Sequence, residues 1–123
     1  MEFYENYMNG YIALMTILII SAIILTIAVS ASLLSISQLD ISLIQEQSAI
    51  SFYLASACAE QALMNLKTNP DYQGNEILSF GNYHCKIHKI KNNIIKASAD
   101  ISGQVRKIQI DTQIDSWQEV ADF

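Results

Sequence analysis
The chain has 123 residues, with twelve acids against seven Lys and Arg, a formal net charge of −5, two cysteines and one proline. That is the length of one small domain, and the acidic balance argues against general nucleic-acid binding by the chain as a whole. There is no nucleophile motif, no glycine-rich phosphate loop and no paired-carboxylate spacing, so no enzyme is expected.

Residues 1–10, MEFYENYMNG, are polar and contain no Lys or Arg, unlike the basic start of a secretory signal peptide. Residues 11–37 then hold no charge, no Pro and no Gly, and no charged residue occurs between Glu5 and Asp40. On a helix, Ile12, Leu14, Ile17, Leu18, Ile23, Leu25 and Leu33 point in all directions and leave no polar face for water. Such a helix reaches roughly 40 Å at about 1.5 Å per residue, more than the roughly 30 Å of a hydrocarbon core. It is expected to span a membrane, to be buried among other apolar helices, or to do both in turn.

Nothing between residues 11 and 69 forbids one continuous helix, but residues 38–69 change character. Ile50, Leu54, Cys58, Ala62 and Leu66 recur at spacings of four and line one stripe. Glu46, Gln47, Glu60 and Gln61 lie largely off it. Ala55, Ala57, Ala59 and Ala62 allow something to pack close. Asn69-Pro70-Asp71 ends the helix, because Pro disfavours helical geometry in the residue before it.

Residues 70–123 read as a small β head with a C-terminal tail. Glu76–Phe80 is a short extended piece. Over 83–90, Cys85 and Ile87 share one face, while His84, Lys86 and His88 share the other. A turn is expected at 91–93 and another at Ser102-Gly103. Ile95, Ala97, Ala99 and Ile101 share a face of the next strand; Ile108, Ile110, Thr112 and Ile114 share a face of the last. The change of parity between Val105 and Ile108 suggests a bulge or a late strand start. The expected fold is α+β: a long N-terminal helix, apolar in its first half and amphipathic in its second, packed on a small antiparallel three- to four-stranded meander. The meander has one apolar face, and the helical stripe is the available cover.

Three groups of residues invite a functional reading. Cys58 on the helical stripe and Cys85 on the inner face of the first long strand are either two buried thiols or, in an oxidising compartment, a disulfide; the disulfide is the preferred reading. His84, Cys85 and His88 have the residue types of a metal site, but Cys85 points away from the histidines, so neither a metal nor another cofactor is expected. Lys86, Lys89, Lys91, Lys96, Arg106 and Lys107 form a basic window interrupted only by Asp100. They suit DNA backbone contact, with Tyr83 stacking on a base. A solvated sheet face, with Lys protecting an edge, is preferred. A third reading is electrostatic fit to acidic patches of neighbouring subunits.

Gly10-Tyr11 ahead of the apolar run, followed by a helix that turns amphipathic and then a small antiparallel sheet, resembles type IV pilins and type II secretion pseudopilins. Residues 57–63, ACAEQAL, and 116–123, SWQEVADF, are similar to stretches of small pilin-like proteins of ultrasmall bacteria. The resemblance implies a leader, residues 1–10, removed by a prepilin peptidase between Gly10 and Tyr11, with N-methylation of the new amino terminus at Tyr11. It implies a transmembrane and filament-core helix half, 11–37, and an amphipathic half, 38–69. It also implies a single-pass membrane protein with an extracytoplasmic C-terminal head, which joins other pilin-like subunits through its N-terminal helix in a cell-surface pilus or pseudopilus. Met15 stands where the family usually has a Glu, and the leader lacks the usual basic residues; both departures point to a minor or divergent subunit. The alternative is a single-pass membrane protein with a small extracytoplasmic ligand- or DNA-binding head.

Overall fold
The computed structural model describes residues 8–123 with their side chains and residues 2–7 as backbone alone. One helix, α1 (Glu2–Thr68), is followed by five strands: β1 (Glu76–Phe80), β2 (Tyr83–Ile87), β3 (Ile94–Ile101), β4 (Gln104–Asp111) and β5 (Ser116–Val120). The fold is therefore α+β, as the pattern predicts. By internal contacts the chain divides into two units, Met1–Ile41 and Ser42–Phe123.

The helix passes through Gly10 without a break, so the boundary expected there does not coincide with an element boundary. Its C-terminus is built as the sequence suggests. Lys67 sits in the last turn, where a cation complements the helix dipole. The Asn69 N–H donates to the Asn65 carbonyl at 2.8 Å, and the Asn69 carbonyl accepts from Tyr72 N–H at 3.0 Å. The Asn69 side chain accepts from Asp71 N–H at 3.1 Å, so the chain turns around Pro70 with its polar groups paired.

In the second unit the strands form one antiparallel sheet in the order β1-β2-β3-β4-β5. Tight turns make this order accessible. Asn92 and Asn93 both have positive φ, as do Ser102 and Gly103. Paired positive-φ residues give the turns whose twist matches that of adjoining strands.

The inner face of the sheet presents Cys85, Ile87, Ile95, Ala97, Ala99, Ile101, Ile108 and Ile110, all buried, against Leu54, Ala55, Cys58, Ala59 and Ala62 of α1. The alternation predicted for β2 and β3 is thus observed, and each buried Ile or Leu contributes about 1.5–3 kcal/mol. The helical contact is broader than a single stripe. Ile50 and Leu66 are only half-buried at its margins, while Ser51, Ala55 and Ala59 are sealed from solvent. The small residues let the sheet settle over the Ala row, which shifts the contact away from the larger side chains. Buried Ser51 is paired, its hydroxyl donating to the Ala99 carbonyl at 2.8 Å.

Other expectations change. The meander has a fifth strand, since Ser116–Val120 pairs along β4 with Trp117 opposite Ile110. The strand expected over 83–90 stops at Ile87. Ile114 lies outside any strand, 72% exposed, rather than on the inner face. No bulge separates Val105 from Ile108, because β3 and β4 pair without interruption from Ile101↔Gln104 to Ile94↔Asp111. The inward position between them is filled by Arg106, and Val105 faces outward.

Gly74 tests the packing of the loop that follows α1. Its φ is +71°, and a Cβ there would lie 2.5 Å from the His88 carbonyl oxygen. Gly74→Ala should cost on the order of 1–3 kcal/mol, read as a lower thermal midpoint. Gly81→Ala, at φ +62° with nothing within 4 Å of the added Cβ, should cost less.

Candidate functional site
The first unit presents one surface. From residue 8 to residue 41 every side chain is exposed, apolar ones included, on all sides of the helix. The stretch is long and apolar enough to cross a membrane. Its hydroxyls do not spoil that surface. Thr16, Ser21 and Thr26 donate to carbonyls three residues back, and Ser30, Ser32 and Ser35 to carbonyls four residues back. These six hydroxyl hydrogens are thereby satisfied within the helix, as a hydrocarbon environment favours. Gly10, Tyr11 and Met15 share this exposure, and a Cβ at Gly10 would meet nothing within 4 Å.

The second unit carries the cysteines and the basic residues. Cys58 and Cys85 are joined by a disulfide buried at the centre of the head, linking α1 to β2 across 27 residues of sequence. Cys85 is thereby unavailable as a metal ligand. His84 instead shares a hydrogen bond with Ser79 (2.9 Å), and His88 Nε2 shares one with Ser98 Oγ (2.9 Å). Among the described residues no group of three or more His, Cys, Asp or Glu is arranged to hold a metal.

The basic window does not form one surface. Arg106 occupies an inward-parity position at the margin of the core. Its Nε and Nη2 donate to Ser48 Oγ on α1, at 2.9 and 2.5 Å, and its Nη1 pairs with Glu119 on β5. A single guanidinium therefore ties three elements together, which its fork of donors allows and a lysine's point charge does not. Lys89 and Lys91 lie in the connection between β2 and β3. Lys86, Lys96 and Lys107 lie on the outward face. There Lys86 and Lys107 flank Ser98 in register. Tyr83, placed by parity on the other face, does not join them.

Residues that the sequence reading passed over complete the outward face. The Lys107 ammonium pairs with Asp122 at 2.5 Å. The Phe123 ring meets His88 edge-on with centroids 4.9 Å apart, and the Lys96 and Lys107 ammoniums lie 5.1 and 5.2 Å from its centroid. The sequence signal was an acid–aromatic pair facing a basic window, but sequence order gives no hint that the chain folds back. His88 has its pKa lowered, first by burial and then by the positive charges of Lys86, Lys107 and Lys96. No protein-family model, no curated protein and no solved structure matches this chain.

Two predictions follow from the head. Cys58→Ser and Cys85→Ser should each destabilise it by on the order of 3 kcal/mol, and the double change by little more, because either removes the same link. Denaturant melts of the three variants check this. The second concerns His88. Its lowered folded-state pKa means that the unfolded chain binds the proton more tightly. Stability should therefore fall as pH drops below the ordinary histidine value of 6.5 toward the depressed one, and be insensitive to this group above it. His88→Gln should flatten that acid limb of the thermal midpoint against pH.

Proposed function
We propose that the chain is a pilin-like structural subunit, held in a membrane by its N-terminal helix and then assembled through that helix with other pilin-like subunits. The observation that carries the reading is the all-round apolar exposure of residues 8–39, with the hydroxyls at Thr16, Ser21, Thr26, Ser30, Ser32 and Ser35 turned back onto the helix. Water is a poor solvent for such a surface; lipid or a bundle of like helices covers it equally well. Transfer from one to the other therefore has little hydrophobic driving force and depends on helix packing and an assembly machine. The disulfide supports an extracytoplasmic head, since such links persist in oxidising compartments. Gly10 and Tyr11 are the proposed processing site for a prepilin peptidase, with Tyr11 the methylated residue. Met15 leaves the new amine without the carboxylate that a neighbour would normally supply, which supports a minor or divergent role in a type IV pilus or pseudopilus.

Mass spectrometry of membrane and filament fractions tests this. The expected product begins at Tyr11, carries an N-methyl group and disappears in Gly10→Val, where a branched side chain replaces the hydrogen of the residue before the cut. A chain intact from Met1 in every fraction, with no filament containing it, overturns the proposal in favour of a single-pass membrane protein with a small binding head.

A further inference from the structure
We infer that the outward face of the sheet around Ser98 is a docking site for a peptide segment bearing an acid followed by an aromatic residue, and that Asp122 and Phe123 fill it in the free chain. The site is made by strand register. Lys86 on β2 and Lys107 on β4 stand on either side of Ser98 on β3, and Lys96 lies two residues along β3 on the same face. His88 hydrogen-bonds Ser98 and completes the border. Cross-strand neighbours on one face lie about 5 Å apart, so the flexible lysine stems easily bring their ammoniums to one small ligand.

The cluster is short of negative charge. Asp122 neutralises Lys107, while Lys86 and Lys96 have no carboxylate within ion-pair distance among the described residues. His88, whose proton affinity is depressed first by burial, is lowered further by the charges of Lys86, Lys107 and Lys96 around it. The native occupant also defines the chemistry accepted. One carboxylate meets an ammonium, and one ring sits beside two ammoniums and an imidazole edge. An ammonium beside an aromatic ring is attracted by its quadrupole, so the ring is recognised as well as the acid. A plain anion supplies only half of this match.

The occupant is held loosely. Ala121, Asp122 and Phe123 are all exposed, and the Asp122 side chain is 85% exposed. They lie against the face opposite α1, and the buried core is complete without them. Exposed ion pairs are weak and salt-screened, so the contact persists mainly because it is intramolecular. A segment of the same chemistry presented at high local concentration by a partner can replace it, leaving the fold intact. The inference concerns the head alone and does not depend on how residues 8–41 are used.

The test uses the full chain in zwitterionic detergent and a peptide of residues 116–123, acetylated and amidated so that its ends add no charge. The face is opened in two ways, by Asp122→Asn with Phe123→Ala and by ending the chain at residue 121. Calorimetry and amide chemical shifts should show the peptide binding both opened forms at least about tenfold more tightly than the parent, with shifts at Lys96, Ser98 and Lys107. Lys96→Gln with Lys107→Gln in the opened background should weaken it by about tenfold, as should added salt. The inference is overturned if neither opened form binds more tightly than the parent. It is equally overturned if a peptide with Asn and Ala in place of Asp122 and Phe123 binds as well, or if inorganic phosphate or a single-stranded oligonucleotide moves the same resonances while the peptide does not.

Discussion

The head depends on the close approach of one row of small helical residues to the inner face of the sheet. Ala55, Ala59 and Ala62 have no bulk to hold the strands away, and the sheet answers with Ile87, Ile95 and Ile110, all fully buried. A head this small buries a modest fraction of its surface and has little stability to spare. The remaining devices all secure the same contact. The Cys58–Cys85 bond fixes α1 to β2, the Ser51 hydroxyl ties it to the Ala99 carbonyl on β3, and Arg106 joins Ser48 to β4 and β5. A larger residue in the Ala row would strain all of these links at once.

Much of this was legible in the sequence because it depends on periodicity and on turn chemistry. The uncharged run, the helix stop at Asn69-Pro70, the alternation of Ile95, Ala97, Ala99 and Ile101 in β3 and the turns at 91–93 and 102–103 are local signals, and the structure has them where they fall. One failure arises because inward positions need not be apolar. Arg106 occupies one of them because its guanidinium finds Ser48 and Glu119 in space, partners far away in sequence. Reading it as part of a basic surface merged two faces that the fold separates. Ser116–Val120 escaped notice for a related reason. As an edge strand it pairs on one side only, and its pattern is mostly polar.

The separation of the two sheet faces also settles how a chain with excess acid can present a positive surface. Arg106 and Glu119 cancel at the helix side. Lys86, Lys96 and Lys107 are gathered on the other side by register, with Asp122 opposing one of them. Beyond about a Debye length salt screens the net charge; within it, local arrangement decides what a partner meets.

Sheet order here is chain order, and each strand pairs with the one made just before it. A chain appearing N-terminus first can therefore add β-strands one hairpin at a time, without holding any strand in reserve for a later partner. Its one covalent closure needs only α1, β1 and β2, since Cys58 and Cys85 both precede β3. Low contact order of this kind favours fast folding. The topology thus lets the head form promptly, and it keeps short the interval during which unpaired strand edges are open to neighbouring copies.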